Sequence, residues 1–213
     1  MTWYAHNLYA PATEEVLQEL RENPVLRPHL RLVRDLRDYR WYTPERKHDL
    51  GGCGLAVIRP LGPRDGDCTE WYECQERMLS WDALEGRSDE APVQAHTDPE
   101  DAPPLSLLRF CRDLSGTTGV PVMYYWAMCW GGDTEFEGAW VFDPDQHTFI
   151  LNSEVGVPGT LQAFDARGNK RILNGQGRTA LTEGLALLGV NLPTPFFALH
   201  TRGFPWNRHM GVK

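Results

Sequence analysis

No apolar run in this chain approaches the roughly 18 residues that a membrane-spanning helix needs, so a helical membrane protein is excluded and no membrane partner is expected. The N-terminal stretch MTWYAHNLYAPATEE lacks a basic segment followed by an apolar one, so no secretory signal is visible and the expected location is cytoplasmic. Positive charge is also scarce. Lys and Arg number 21 against 29 Asp and Glu, a net charge of −8, which disfavours a nucleic-acid binder because phosphate affinity rests on clustered cations. A basic protein or a neutral small molecule suits this balance better.

Cysteine is sparse and badly spaced for a framework. The five cysteines (Cys53, Cys68, Cys74, Cys111, Cys129) are odd in number and form no Cys-x-x-Cys pair, which predicts reduced thiols. Cys68 and Cys74 have no histidine following at zinc spacing, so no structural metal is expected. Signatures of catalysis are missing too. Gly51, Gly52 and Gly54 are not followed by Lys-Ser/Thr, no Gly-x-Ser-x-Gly elbow occurs, and the histidines show no paired metal-site spacing. No cofactor is implied.

What is present is ordinary globular composition, 41% hydrophobic and 23% charged, without a linker between separately patterned halves. Residues 1–213 therefore read as a single α+β domain with a mainly antiparallel sheet flanked by three or four helices. Residues 2–10 predict a strand ended by Pro11. Thr13 then caps a helix with Val16, Leu17 and Leu20 on its apolar stripe, stopped by Pro24. From Val25 to Tyr42 a short helix and a following strand fit about equally, and Arg31, Arg34, Arg37 and Arg40 read as a solvated face. Residues 51–63 hold a buried strand, and Trp71, Met78 and Trp81 approach helical spacing. Residues 87–104, acidic with four prolines, predict a mobile loop. Further on come a helix over 105–114, strands through 154, a hairpin turning at 167–169, a helix near 179–188 ended by Gly189, and a final strand within 195–206.

The most informative stretch runs from Pro121 to Phe142. Two aromatic and β-branched runs flank Gly131-Gly132, a two-residue hairpin signal. Strict alternation from that turn sets Met128 opposite Glu135, Trp126 opposite Glu137 and Tyr124 opposite Ala139. Tyr124, Trp126, Trp130, Asp133, Glu135 and Glu137 then share one face, the candidate partner-binding surface, with no catalytic or metal role assigned. A solvated sheet face explains the acids but leaves the tryptophans unexplained. Asp143, Asp145, His147 and Glu154 match places of a calcium-loop template, but Thr148 stands where glycine is needed and the flanks read as strands. His48 and Cys53 could form a nucleophile pair only if the fold brings them together.

The combination of Val120-Pro121, Gly131-Gly132, the acids after it and Ala139-Trp140-Val141-Phe142 resembles a segment of uncharacterised bacterial proteins and of immunity proteins from contact-dependent or polymorphic toxin systems. The resemblance spans about 40 residues and implies a small, cytoplasmic, non-enzymatic bacterial protein that blocks a basic toxin domain. Two other classes stay open. A small hydrolase-like enzyme could use Glu135 or Glu137, about 7 Å apart by strand rise, as acid and base. An assembly subunit could use the aromatic patch as a fixed interface.

Overall fold

A computed structural model of the chain describes residues 2–34, 50–59, 103, 105–130, 133–145, 148–153, 160–165, 167–174 and 178–191. His48, the Gly131-Gly132 turn, the Trp71 to Trp81 segment, the acidic stretch apart from Pro103, and the strand expected within 195–206 lie outside the described residues. So do the side chains of Met128, Cys129, Trp130, Asp133 and Glu135, although their strand positions are defined.

Among the described residues eight strands form one sheet: β1 (Thr2–Pro11), β2 (Leu30–Val33), β3 (Leu55–Ile58), β4 (Val122–Trp130), β5 (Asp133–Phe142), β6 (Thr148–Ser153), β7 (Thr160–Phe164) and β8 (Lys170–Asn174). Their spatial order is β2-β3-β1-β4-β5-β6-β7-β8, and every neighbouring pair is antiparallel. The α+β architecture expected from the sequence is the one observed. Hairpins build the half from β4 to β8, while β1 sits between β3 and β4 and ties the two halves together.

Helix α1 (Glu14–Glu22) starts where Thr13 accepts a hydrogen bond from the Val16 amide at 3.4 Å. This N-cap satisfies a backbone donor that the first helical turn leaves open. Val16, Leu17 and Leu20 are buried, each stabilising by about 1.5–3 kcal/mol on full burial. A 3₁₀ turn at Arg27–His29 leads directly into β2, so helix and strand follow one another there. Helix α2 (Leu105–Thr118) runs a turn beyond the expected stop at Leu114. Hydroxyls hold the extra turn: Thr118 donates to the Leu114 carbonyl at 2.7 Å, and Ser115 to those of Val120 and Phe142 at 2.8 and 3.0 Å. Gly119, at φ +69°, ends it in the left-handed region that glycine favours. Helix α3 (Ala180–Leu187) opens on a capping box between Thr179 and Thr182.

Helices cover both faces of the sheet. On one, α1 and α2 bury Leu8, Ile58, Val122, Tyr124, Trp140 and Phe142. On the other, α3 packs mainly on β5 and joins a cluster that includes Tyr9, Val57, Met123, Tyr125, Ala139 and Val141. Among the described residues no helix is long and apolar enough to cross a membrane.

Arg31 departs from the solvated face expected of it. It is fully buried on β2, and its Nη1 donates to the carbonyls of Pro28 and Leu30 at 3.2 and 3.0 Å. A guanidinium is tolerated inside when backbone acceptors replace water. Arg34 is exposed as expected, and Arg37 and Arg40 lie outside the described residues.

Candidate functional site

The β4–β5 hairpin begins in the expected register, with Trp130 opposite Asp133 and Cys129 opposite Thr134. It then slips. Met128 pairs with Phe136, so Glu135 is an extra residue and the ladder carries a bulge. Beyond it Trp126 faces Gly138 rather than Glu137, and Tyr124 faces Trp140 rather than Ala139. A slip of one residue exchanges the faces of everything downstream. The shared surface expected of Tyr124, Trp126 and Glu137 is therefore not formed.

The exchange brings the bulky β5 residues Trp140 and Phe142 to the face of Tyr124 and Trp126. Tyr124, Trp126, Trp140 and Phe142 gather beneath α1 and α2, with Tyr124 and Trp140 ring centroids 5.8 Å apart. Tyr124 is buried and Trp126 half-buried. Ala127, Ala139 and Val141 gather on the opposite face, where their small bulk lets α3 approach closely.

Glu137 goes with the small residues and becomes a buried acceptor for the start of α3. Its Oε1 accepts from the Ala180 amide at 2.8 Å, and its Oε2 from the Leu181 amide at 3.4 Å and the Tyr125 hydroxyl at 3.0 Å. Burial pushes its pKa above the usual carboxylate value, while the Ala180 amide, the Tyr125 hydroxyl and the Leu181 amide oppose that rise. The positive end of the α3 dipole also suits an acidic partner. Asn7 donates to the Tyr9 hydroxyl at 2.8 Å beside this group, and Tyr9 and Tyr125 meet edge to face at 6.4 Å. Arg31 and Arg59 are further buried polar residues, on β2 and just after β3. Glu137 holds the start of α3 to the sheet through its bonds to the Ala180 and Leu181 amides.

On the α1/α2 face His6 Nδ1 lies 2.9 Å from the Tyr124 hydroxyl. Burial lowers the imidazole pKa to about 4, whereas the unfolded chain titrates near its ordinary value of 6.5. A folded value below the unfolded one means that stability present above 6.5 is lost as pH falls toward 4. That window corresponds to up to about 3 kcal/mol. Denaturant titrations at pH 7 and pH 4 should show a larger loss for the wild type than for His6→Gln. Equal losses would mean that His6 titrates normally in the folded chain.

Among the described residues an accessible concavity lies elsewhere, in a groove of about 300 Å³ between the end of α1 and the middle of α2. Glu19, Glu22 and Asp113 supply carboxylates around it, Phe110 and Leu114 an apolar wall, and Asn23 and Thr117 further polar groups. Glu22 is exposed, while Glu19, Asp113 and Phe110 are half-buried. Glu19 and Glu22 occupy the last turn of α1, where the helix dipole favours cations. The dipole therefore does not explain their charge, although Glu22 accepts a hydrogen bond from the Gln18 side chain one turn earlier at 2.9 Å. Sequence alternation along the sheet could not reveal this groove, because it joins two helices far apart in the chain. The signal available was the run Glu14, Glu15, Glu19 and Glu22, opposed within α1 only by Arg21.

Among the described residues no group of three or more His, Cys, Asp or Glu side chains is arranged to hold a metal ion. In the calcium-loop template Asp143 and Asp145 sit at the β5 exit, Thr148 already begins β6, and His147 and Glu154 lie outside the described residues. Cys53 and Cys111 are free thiols, exposed and buried respectively. Comparison with protein-family models, with curated proteins and with solved structures finds no match.

Proposed function

We propose that this chain is a protein-binding module that captures a basic partner along the α1–α2 groove, in the manner of an immunity protein neutralising a basic toxin domain. The observation that carries the reading is the set of three carboxylates, Glu19, Glu22 and Asp113, beside the half-buried ring of Phe110 in one concavity. A lysine or arginine entering there would meet opposite charge at the rim and an aromatic wall within. The net charge of −8 supports the same partner chemistry, since a negative field speeds encounter with a basic protein. An immunity role would place the protein in the bacterial cytoplasm, where Cys53 and Cys111 would stay reduced.

The hydrolase alternative uses Glu135 or Glu137 as general acid or base beside the tryptophans. Engagement of Glu137 by α3 on the face opposite Trp126 disfavours Glu137 in that role. The test of the groove is kinetic. A partner recovered by cross-linking from the native host should associate with Glu19→Gln/Glu22→Gln about tenfold more slowly at low salt, with a flatter salt dependence and similar dissociation. Unchanged association, or a recovered partner without basic character, would contradict the proposal.

A further inference from the structure

We infer that the β8 edge of the sheet is a strand-docking site for an extended acidic segment of a partner protein. The sheet has two terminal strands, and they differ sharply. All four residues of β2 are buried, so that edge is covered. In β8, Lys170, Arg171, Ile172 and Asn174 are exposed and only Leu173 is half-buried. Leu173 packs against the core on the α3 side, which anchors the strand.

On its inner side β8 pairs with β7 from Phe164↔Lys170 to Thr160↔Asn174. An edge strand aims alternate backbone N–H and C=O groups outward, where an added strand can meet them. Both ends of β8 are pinned in extended form. Asp165 accepts from the Arg167 and Asn169 amides and from the Asn169 side chain, each at 2.9 Å, and the Thr160 hydroxyl donates to Asn174 at 3.3 Å. Little ordering is left to be done on docking, so a partner would meet a preformed template of about 17 Å.

Charge selects the occupant. The protein is acidic overall, yet Arg167, Lys170 and Arg171 cluster on this hairpin, and Asp165, the acid beside them, already serves its own turn. A second copy pairing through β8 would bring two basic strands together, whereas an acidic strand would be drawn in. Cationic residues on an edge can also serve to repel pairing. Ile172 argues against that purpose here, because at 47% exposure in mid-strand it offers an apolar contact to an incoming chain. Recognition of this kind uses backbone hydrogen bonds for affinity and alternate side chains for selectivity.

The probe is a short synthetic peptide alternating glutamate and valine, added to the full-length protein and followed by amide NMR and hydrogen exchange. Binding should shift the signals of Lys170 to Asn174 and slow exchange of the outward amides. Lys170→Glu/Arg171→Glu should weaken it about tenfold or more, as should a proline at the centre of the peptide. Four results would overturn the inference: no response at β8, equal binding by the proline-broken peptide, equal binding by a lysine counterpart, or sedimentation showing that the protein already dimerises through this edge. The groove residues take no part in this experiment, so its failure leaves the α1–α2 reading untouched.

Discussion

Replacing Glu137 by alanine should destabilise the fold by about 3 kcal/mol or more, read as a lower denaturant midpoint. The substitution strands the Ala180 and Leu181 amides and the Tyr125 hydroxyl in a buried site, and each orphaned donor costs about 1–3 kcal/mol. Glu137→Gln keeps one acceptor oxygen and should lose less. The pH dependence separates charge from hydrogen bonding. Because the folded pKa lies above the ordinary 4.5, the contribution of Glu137 is full below 4.5 and is lost as pH rises through the folded value. The stability gap between wild type and Glu137→Gln should therefore narrow as pH is raised. A gap that widens instead would mean that the α3 amides and the Tyr125 hydroxyl outweigh burial and hold the side chain in its charged form, and an unchanging gap that the carboxylate is solvated as in the unfolded chain.

A comparable loss is expected at Gly184, where α3 lies closest to the sheet. A Cβ there would overlap Met123 Sδ and would also meet Ala139 Cβ at 3.5 Å and Val141 Cγ2 at 3.6 Å. Met123 is fully buried, so it has no open space into which to retreat. Gly184→Val should cost about 3 kcal/mol or more, at the upper end for overpacking a core. Gly184→Ala gains about 1 kcal/mol of helix propensity and should lose less. Met123→Ala opens a cavity by itself, but the double variant Gly184→Ala/Met123→Ala should be more stable than the sum of the single losses predicts. Strict additivity would show that the two residues are not in contact.

These two residues mark the boundary of what the sequence made legible. Element positions followed from local chemistry: Thr13 as a cap, Pro11 and Pro24 as stops, and Gly189 closing the last helix. The antiparallel class followed from hairpins spaced closely along the chain. The candidate surface did not, because a bulge at one position leaves no mark in an alternating pattern yet exchanges faces for the rest of the strand. Two clues pointed the other way. Tyr124, Trp126, Trp140 and Phe142 fill one face together once Glu135 is skipped, and a glycine in the middle of α3 leaves room for a close approach to Met123, Ala139 and Val141. Arg31 was misread for a related reason. A charged residue in a four-residue edge strand looks solvated unless one knows that the edge is covered on both faces. The groove between α1 and α2 depends on tertiary packing alone, so the acids of α1 could be counted from the sequence but not placed.

The register beyond the bulge decides which residues can meet a partner, and cross-strand backbone NOEs measure it directly. Isotope-labelled protein should show contacts linking Trp126 with Gly138, Tyr124 with Trp140 and Met128 with Phe136. It should also show the Tyr125 ring close to the Ala180 amide, since both bond the Glu137 carboxylate. Contacts linking Trp126 with Glu137 and Tyr124 with Ala139 would contradict the bulge, return Glu137 to the tryptophan face, and restore the hairpin as the recognition surface.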